Sequence, residues 1–215
     1  VEQTLKHPHV LRKYKKYTDN HTSPPLDHDF LAAIEDAEPI NWDDLIVRLD
    51  AMPTGQQYAS DYEDLIEEIL TAIFYPSLCN PQKQHKIHEG RKRIDITYTN
   101  EAREGFFCWL SQHYPSAFIF VECKNYGKEV SNPELDQLAG RFSVNRGKVG
   151  LLVCRSLENS ERLEQGCIDT AKDQRGYMLA LTDSDIKQLI GDVRQQPQDY
   201  SGYPLLKSKF QSLVS

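Results

Sequence analysis

The segment AFIFVECK, at residues 117–124, constrains the fold of this chain more than any other. Residues 118–121 are all apolar, and a strand that is apolar on both faces is typical of the centre of a sheet with helices packed on each side. Glu122 and Lys124 follow two positions apart, so their side chains point to the same side of the strand. The sequence therefore predicts a buried central strand that ends in two opposite charges.

The rest of the chain alternates strand and helix patterns. Residues 93–99 alternate apolar and polar side chains, which predicts a half-buried strand with Asp95 on its polar face. Ser131 and Glu134 form a capping box that opens a helix. Further buried strands are predicted at 149–154 and 177–181, and helices at 58–74, 104–114, 131–144, 158–172 and 184–193. The predicted fold class is α/β, a central mixed β-sheet flanked by helices.

Composition divides the chain into three predicted parts. Residues 1–50 read as an N-terminal arm followed by short helices, residues 51–195 as the main domain, and residues 196–215 as a C-terminal extension. The first residue is Val1 rather than Met, so we expect this chain to be part of a larger polypeptide.

Several classes of protein are disfavoured by composition. No stretch approaches the roughly 20 apolar residues that cross a bilayer, so a cytoplasmic protein with no membrane partner is expected. The five cysteines are scattered and include no CxxC pair, which argues against a disulfide framework or a zinc site. The net charge of −7 argues mildly against nucleic acid, although residues 82–93 form a local basic stretch. That stretch suits either a phosphate backbone or a solvated basic loop.

Asp95 and Glu122 lie on strands that can be neighbours in the predicted sheet. Two carboxylates about 4 Å apart repel each other by roughly 4 kcal/mol at an effective dielectric of 20. A divalent cation removes this cost, and oxygen ligands from Asp95, Glu122 and the Cys123 backbone carbonyl suit Mg²⁺ or Mn²⁺. Lys124 is then placed to hold or deprotonate an attacking water. The alternative is a plain salt bridge between Glu122 and Lys124 at a strand end.

A second acid-x-lysine triplet occurs at Asp185 and Lys187. It falls in a predicted helix, where residues two apart diverge by about 200° around the axis. Their side chains are therefore not expected to act together.

The order of these residues resembles the PD-(D/E)xK nucleases, over about residues 53–155. Asp95 is followed by Glu122 and Lys124 in VECK, and then by a helix that carries Gln137. In the Mrr-like branch of this superfamily a Glu on the helix before the core strands and a Gln on the helix after them join the site. Glu63 and Gln137 occupy those places. Ile94 stands where the motif has Pro, which removes no ligand.

The resemblance implies a restriction-endonuclease-like core over residues 51–195. It implies catalytic roles for Asp95, Glu122, Lys124, Gln137 and Glu63, and a metal held by Asp95, Glu122, the Cys123 carbonyl and Glu63. Arg141 lies one helical turn from Gln137, so the two side chains either reach water or phosphate together or form an exposed helix face.

The function implied is a Mg²⁺- or Mn²⁺-dependent endonuclease that hydrolyses phosphodiester bonds in DNA, with RNA less favoured. Double-strand cleavage would require a homo-oligomer or a larger polypeptide, and by analogy the domain would be the effector of a defence protein. The alternative is a catalytically silent module that binds nucleic acid or protein on the same fold. A structure-specific resolvase or an RNase would differ only in substrate.

Overall fold

The computed structural model describes residues 39–87, 92–125, 132–156, 160–195 and 201–215. Its helices are α1 (Trp42–Ala51), α2 (Ala59–Phe74), α3 (Gly105–His113), α4 (Asn132–Ala139), α5 (Ser160–Lys172), α6 (Asp183–Gln195) and α7 (Pro204–Val214). Its strands are β1 (Leu78–Ile87), β2 (Lys92–Asn100), β3 (Phe118–Lys124), β4 (Val149–Cys154) and β5 (Tyr177–Thr182). The N-terminal arm and Ser131 of the capping box lie outside the described residues.

The five strands form one mixed sheet in the order β1-β2-β3-β4-β5. β1 and β3 both pair with β2 in the antiparallel sense, whereas β4 is parallel to β3 and to β5. Helices flank this sheet and pack around one hydrophobic core within Pro39–Ser215. The predicted fold class, α/β with a mixed sheet flanked by helices, is confirmed.

β3 is the central strand, as its sequence predicts. The side chains from Ile119 to Cys123 are buried, and only the two end residues are partly exposed. The prediction of a half-buried strand at β2 was wrong, because Asp95 and Thr97 are 8% and 6% exposed and the second face is covered as well. A carboxylate on β2 is therefore buried rather than solvated.

α2 packs on the sheet face that carries the apolar side chains of β2. The Tyr98 hydroxyl donates a hydrogen bond to the backbone oxygen of Glu67, at 3.1 Å, and lies 2.9 Å from the Thr71 hydroxyl. Since side chains alternate along a strand, Asp95 points to the opposite face from Tyr98. α2 thus covers one face of β2, and the acidic residue faces the other.

α4 ends earlier than predicted. The helix stops at Ala139, and Gly140 and Arg141 follow in a turn. Ser143 and Gly147 then form an isolated antiparallel bridge around an exposed tip. The predicted end at residue 144 was wrong because this bridge, rather than another helical turn, pairs the backbone groups of Ser143.

Two elements were not predicted. Residues 82–87, interpreted as part of a basic stretch or loop, belong to β1 and pair with β2. The C-terminal extension contains α7, whose Leu206, Phe210 and Leu213 are buried against the domain. Among the residues that the structure describes, no helix is long and apolar enough to span a membrane.

Candidate functional site

The site lies where β3 ends beside β2. Ile96 pairs with Val121 in the antiparallel register, so one further step places Asp95 beside Glu122. The Cys123 backbone N–H donates a hydrogen bond to Asp95 Oδ2 at 2.9 Å. This bond fixes the Asp95 carboxylate against the strand that carries Glu122 and Lys124.

Glu122 is the centre of the contact network. Its carboxylate is 1% exposed, and its Oε1 atom accepts hydrogen bonds from Lys124 Nζ, at 2.8 Å, and from the Gln137 side-chain amide. Lys124 Nζ also lies 3.5 Å from Gln137 Oε1, at the limit of a hydrogen bond. The structure therefore brings Asp95, Glu122, Lys124 and Gln137 together.

Arg141 approaches the other oxygen of the same carboxylate. Its Nη2 atom lies 3.4 Å from Glu122 Oε2, which is an ion-pair distance without hydrogen-bond geometry. The residue is 5% exposed, so the sequence-based alternative of an exposed helix face does not hold for Arg141, although Gln137 is exposed. Arg141 is a buried cation beside Glu122.

Burial dominates the electrostatics of the site. It raises the pKa of Glu122 above the usual value of 4.5, and the negative charge of Asp95 adds to this effect. Lys124 and Arg141 act in the opposite direction and lower the pKa of Glu122. The charged carboxylate is thus disfavoured by its surroundings, and a further positive charge would stabilise it.

Glu63 lies on α2 and is 9% exposed. Its charge contributes to the raised pKa of Cys123, after burial and Asp95, so the Glu63 carboxylate is near that thiol. Cys123 alternates with Glu122 along β3 and so faces the other side of the sheet. The structure places Glu63 near β3 without grouping it with Asp95 and Glu122, and its role as a ligand stays a prediction.

The donor set fits a hard divalent cation. Asp95 and Glu122 offer carboxylate oxygens, which Mg²⁺ and Mn²⁺ prefer. Within the described ranges, Glu122 Oε2 is a buried oxygen that accepts no hydrogen bond and has only the ion-pair contact with Arg141. No cluster of three or more His, Cys, Asp or Glu side chains suited to a metal occurs in the described part of the chain. The predicted set needs only two such side chains and a backbone carbonyl.

Asn125 connects the site to the segment before α2. Its side-chain amide donates to the backbone oxygens of Pro53, at 3.0 Å, and Gly55, at 3.3 Å. The Gly55 N–H donates in return to the Asn125 backbone oxygen at 2.8 Å. Gly55 has φ of +130°, a conformation that side chains rarely allow. Asn125 therefore holds this turn against the end of β3.

A second polar cluster, formed by Tyr62, Arg155 and Asp183, lies at the same edge of the sheet and was missed. Arg155 follows β4 and Asp183 follows β5, and their Nε and Oδ2 atoms are 2.9 Å apart. The Tyr62 hydroxyl donates to Asp183 Oδ1 at 2.8 Å, and the Arg155 guanidinium lies 5.2 Å from the Tyr62 ring centroid. The sequence did contain a signal for this cluster, because a charged residue directly follows each of the buried strands β4 and β5.

The second acid-x-lysine triplet lies in α6, as predicted. Asp185 accepts a hydrogen bond from the Thr182 backbone N–H at 2.8 Å and so caps the helix start. Lys187 forms an ion pair with Asp50 of α1. The two side chains have separate structural roles.

The candidate site is therefore described by its own contacts. Asp95, Glu122, Lys124 and Gln137 meet at the end of β3, with Arg141 behind them. Membership of the PD-(D/E)xK superfamily stays a prediction. Comparisons with protein families, with curated proteins and with solved structures found no match to this chain.

Proposed function

We propose that this chain is a metal-dependent endonuclease that hydrolyses phosphodiester bonds in DNA. The observation that carries the proposal is the buried Glu122 carboxylate at the end of β3, between Asp95 and Lys124. Buried charged groups are costly unless they are paired or coordinate a metal, and groups with perturbed pKa values cluster at functional sites. The order of Asp95, Glu122 and Lys124 along the chain supports the PD-(D/E)xK nucleases as the class.

Asp95, Glu122 and the Cys123 carbonyl would hold Mg²⁺ or Mn²⁺. Such an ion supplies Lewis-acid chemistry, which polarises a phosphate oxygen and stabilises developing negative charge. Asp95 is held in place by the Cys123 N–H, and Glu122 by Lys124 and Gln137. These contacts keep both carboxylates oriented before any ligand arrives.

Lys124 is the residue proposed to act on water. Its Nζ atom is anchored by Glu122 Oε1 at 2.8 Å, and the side chain is 13% exposed, so it still borders solvent. An ammonium in this position donates hydrogen bonds to a water and to a phosphate oxygen. Gln137, 3.5 Å from Nζ, orients the Lys124 side chain.

The wider setting is also part of the proposal. One centre cuts one strand, so double-strand cleavage requires two copies, in a homo-oligomer or a larger polypeptide. A role as the effector domain of a defence protein fits this arrangement. RNA and branched DNA are alternative substrates for the same chemistry, and a panel of linear, branched and RNA substrates distinguishes them.

The test is cleavage of supercoiled plasmid with Mg²⁺ or Mn²⁺. Wild type is expected to nick or linearise the plasmid, and Lys124→Ala and Glu122→Ala are each expected to lower the rate by about 100-fold or more. Lys187→Ala removes the partly exposed lysine of the second triplet, which lies in α6 and pairs with Asp50, and is the matched control, with activity near wild type. Circular dichroism verifies that each variant is folded.

A catalytically silent binding module is the second candidate. It is favoured by one observation, since Lys124, Gln137 and Arg141 all contact Glu122, so the carboxylate has protein partners on both of its oxygens. A binding module would be indifferent to chelator and to Lys124→Ala. Wild type that leaves plasmid intact with every metal, both alone and within the larger polypeptide, would favour this candidate.

A further inference from the structure

Arg141 has no role in the proposed chemistry, although it is buried against Glu122. It lies in the turn that ends α4, and its backbone N–H donates to the Leu138 oxygen at 2.9 Å. Its own backbone oxygen accepts from Arg146 Nη2 at 3.3 Å. The backbone on both sides of Arg141 is therefore fixed, and its guanidinium is directed at the site by the fold.

The guanidinium and the carboxylate are both incompletely paired. Considering the described residues only, Arg141 Nε and Nη1 are buried and donate no hydrogen bond, and Glu122 Oε2 accepts none. Arg141 Nη2 lies 3.4 Å from that same oxygen. A buried charge with unused donors is unfavourable, so packing alone gives no reason to retain arginine here.

The charges of the site give a reason for an arginine at position 141. Asp95 and Glu122 contribute two negative charges, and Lys124 and Arg141 contribute two positive charges, so their sum is zero when all four are ionised. Glu122 Oε1 is occupied by Lys124 and Gln137. Oε2, the oxygen left for a cation, is the one that Arg141 approaches.

We propose that Arg141 is the built-in counter-ion of this centre, which neutralises Glu122 in the metal-free chain and weakens the binding of a divalent cation to the same carboxylate. The inference rests on the proposed function, because it takes Glu122 as a ligand of the cation. Arg141 is a positioning residue, since it acts through Glu122. Repulsion between its charge and a divalent cation falls only slowly with distance in a buried site.

The test is the affinity of the full chain for Mn²⁺, measured by isothermal titration calorimetry after treatment with chelator. Arg141→Gln removes the charge and is expected to lower the Kd for Mn²⁺ by about tenfold or more. Arg141→Lys keeps the charge, and its Kd is expected near that of wild type. Arg175→Gln is the matched control, because it removes the same charge from an exposed ion pair with Asp136 of α4.

Folded Arg141→Gln that binds Mn²⁺ with unchanged or weaker affinity overturns the inference while leaving the proposed metal site intact. Absence of Mn²⁺ binding in wild type and in every variant overturns the metal site and the inference together. If Arg141→Gln does not fold, the Arg141 Nε resonance of wild type, identified by its loss in Arg141→Lys, is followed during titration with Mg²⁺. A shift of that resonance supports the inference, and an unchanged resonance at saturation overturns it.

Discussion

At the residue scale, Glu122 combines deep burial with a raised pKa. The folded chain binds its proton more tightly than the unfolded chain, whose carboxyl titrates near 4.5. As pH rises above 4.5 through the raised pKa, the folded state holds more protons than the unfolded state, and the free energy of unfolding falls. The contribution of Glu122 to stability is therefore complete below pH 4.5 and is lost as pH rises through the folded-state pKa.

Glu122→Gln should remove this dependence. Urea unfolding in the presence of chelator, at several values between about pH 4 and pH 7, is expected to show the variant gaining stability relative to wild type as pH rises. Glu161→Gln, at an exposed position on α5, controls for the loss of one carboxylate. If the difference in free energy of unfolding between wild type and Glu122→Gln stays constant over this pH range, the result contradicts a raised pKa at Glu122.

The residues of the site were predictable to different degrees. Asp95, Glu122 and Lys124 follow from strand alternation and from the pairing of neighbouring strands, which a sequence pattern contains. The burial of Arg141 does not follow from a sequence pattern, because it depends on how closely α4 approaches β4. Gly150 permits that approach, since a Cβ there would lie 3.0 Å from the Phe142 ring and 3.1 Å from Leu138. Close packing of this kind is set by the tertiary structure.

At the element scale, β1 and α7 show why some elements escape a sequence pattern. β1 reads LCNPQKQHKI, which lacks apolar alternation and includes Pro81, and its register with β2 shifts between Cys79 and Gln82. An edge strand tolerates both features because one side of its backbone makes no ladder. α7 did carry a signal, since Pro204 is at the first turn and Leu206, Phe210 and Leu213 recur at helical spacing.

Phe210 tests how much α7 contributes to the domain. It is 0% exposed, and its ring meets those of Phe106, Trp109, Tyr114 and Tyr177 at centroid distances from 4.8 to 6.1 Å. Phe210→Ala is expected to lower the free energy of unfolding by about 3 to 5 kcal/mol, through lost burial and an unfilled cavity. Urea denaturation measures the change, with the exposed Lys207→Ala as control. A loss below about 1 kcal/mol would mean that α7 is dispensable to the fold.

At the scale of the whole molecule, the charge of the chain opposes the substrate that we propose. The net charge is −7, and each phosphate of DNA adds repulsion that only local basic groups offset. Several of the described basic side chains are paired with acids, as in Arg48 with Glu68 and Arg194 with Asp43. These paired side chains are less available to neutralise a phosphate backbone.

We expect the isolated chain to bind duplex DNA weakly, with a Kd above about 1 µM at physiological salt, as for non-specific binding. Fluorescence anisotropy with Lys124→Ala, which should bind without cutting, measures this Kd. Affinity should rise at low salt, because the counterions released from DNA then enter a more dilute solution and gain more entropy. It should rise again when two or more chains are linked, because each added contact then binds at high effective concentration. Nanomolar binding by the single chain at physiological salt would contradict this. Weak binding that linkage strengthens would instead place the missing affinity in an assembly, where the two centres needed for double-strand cleavage also meet.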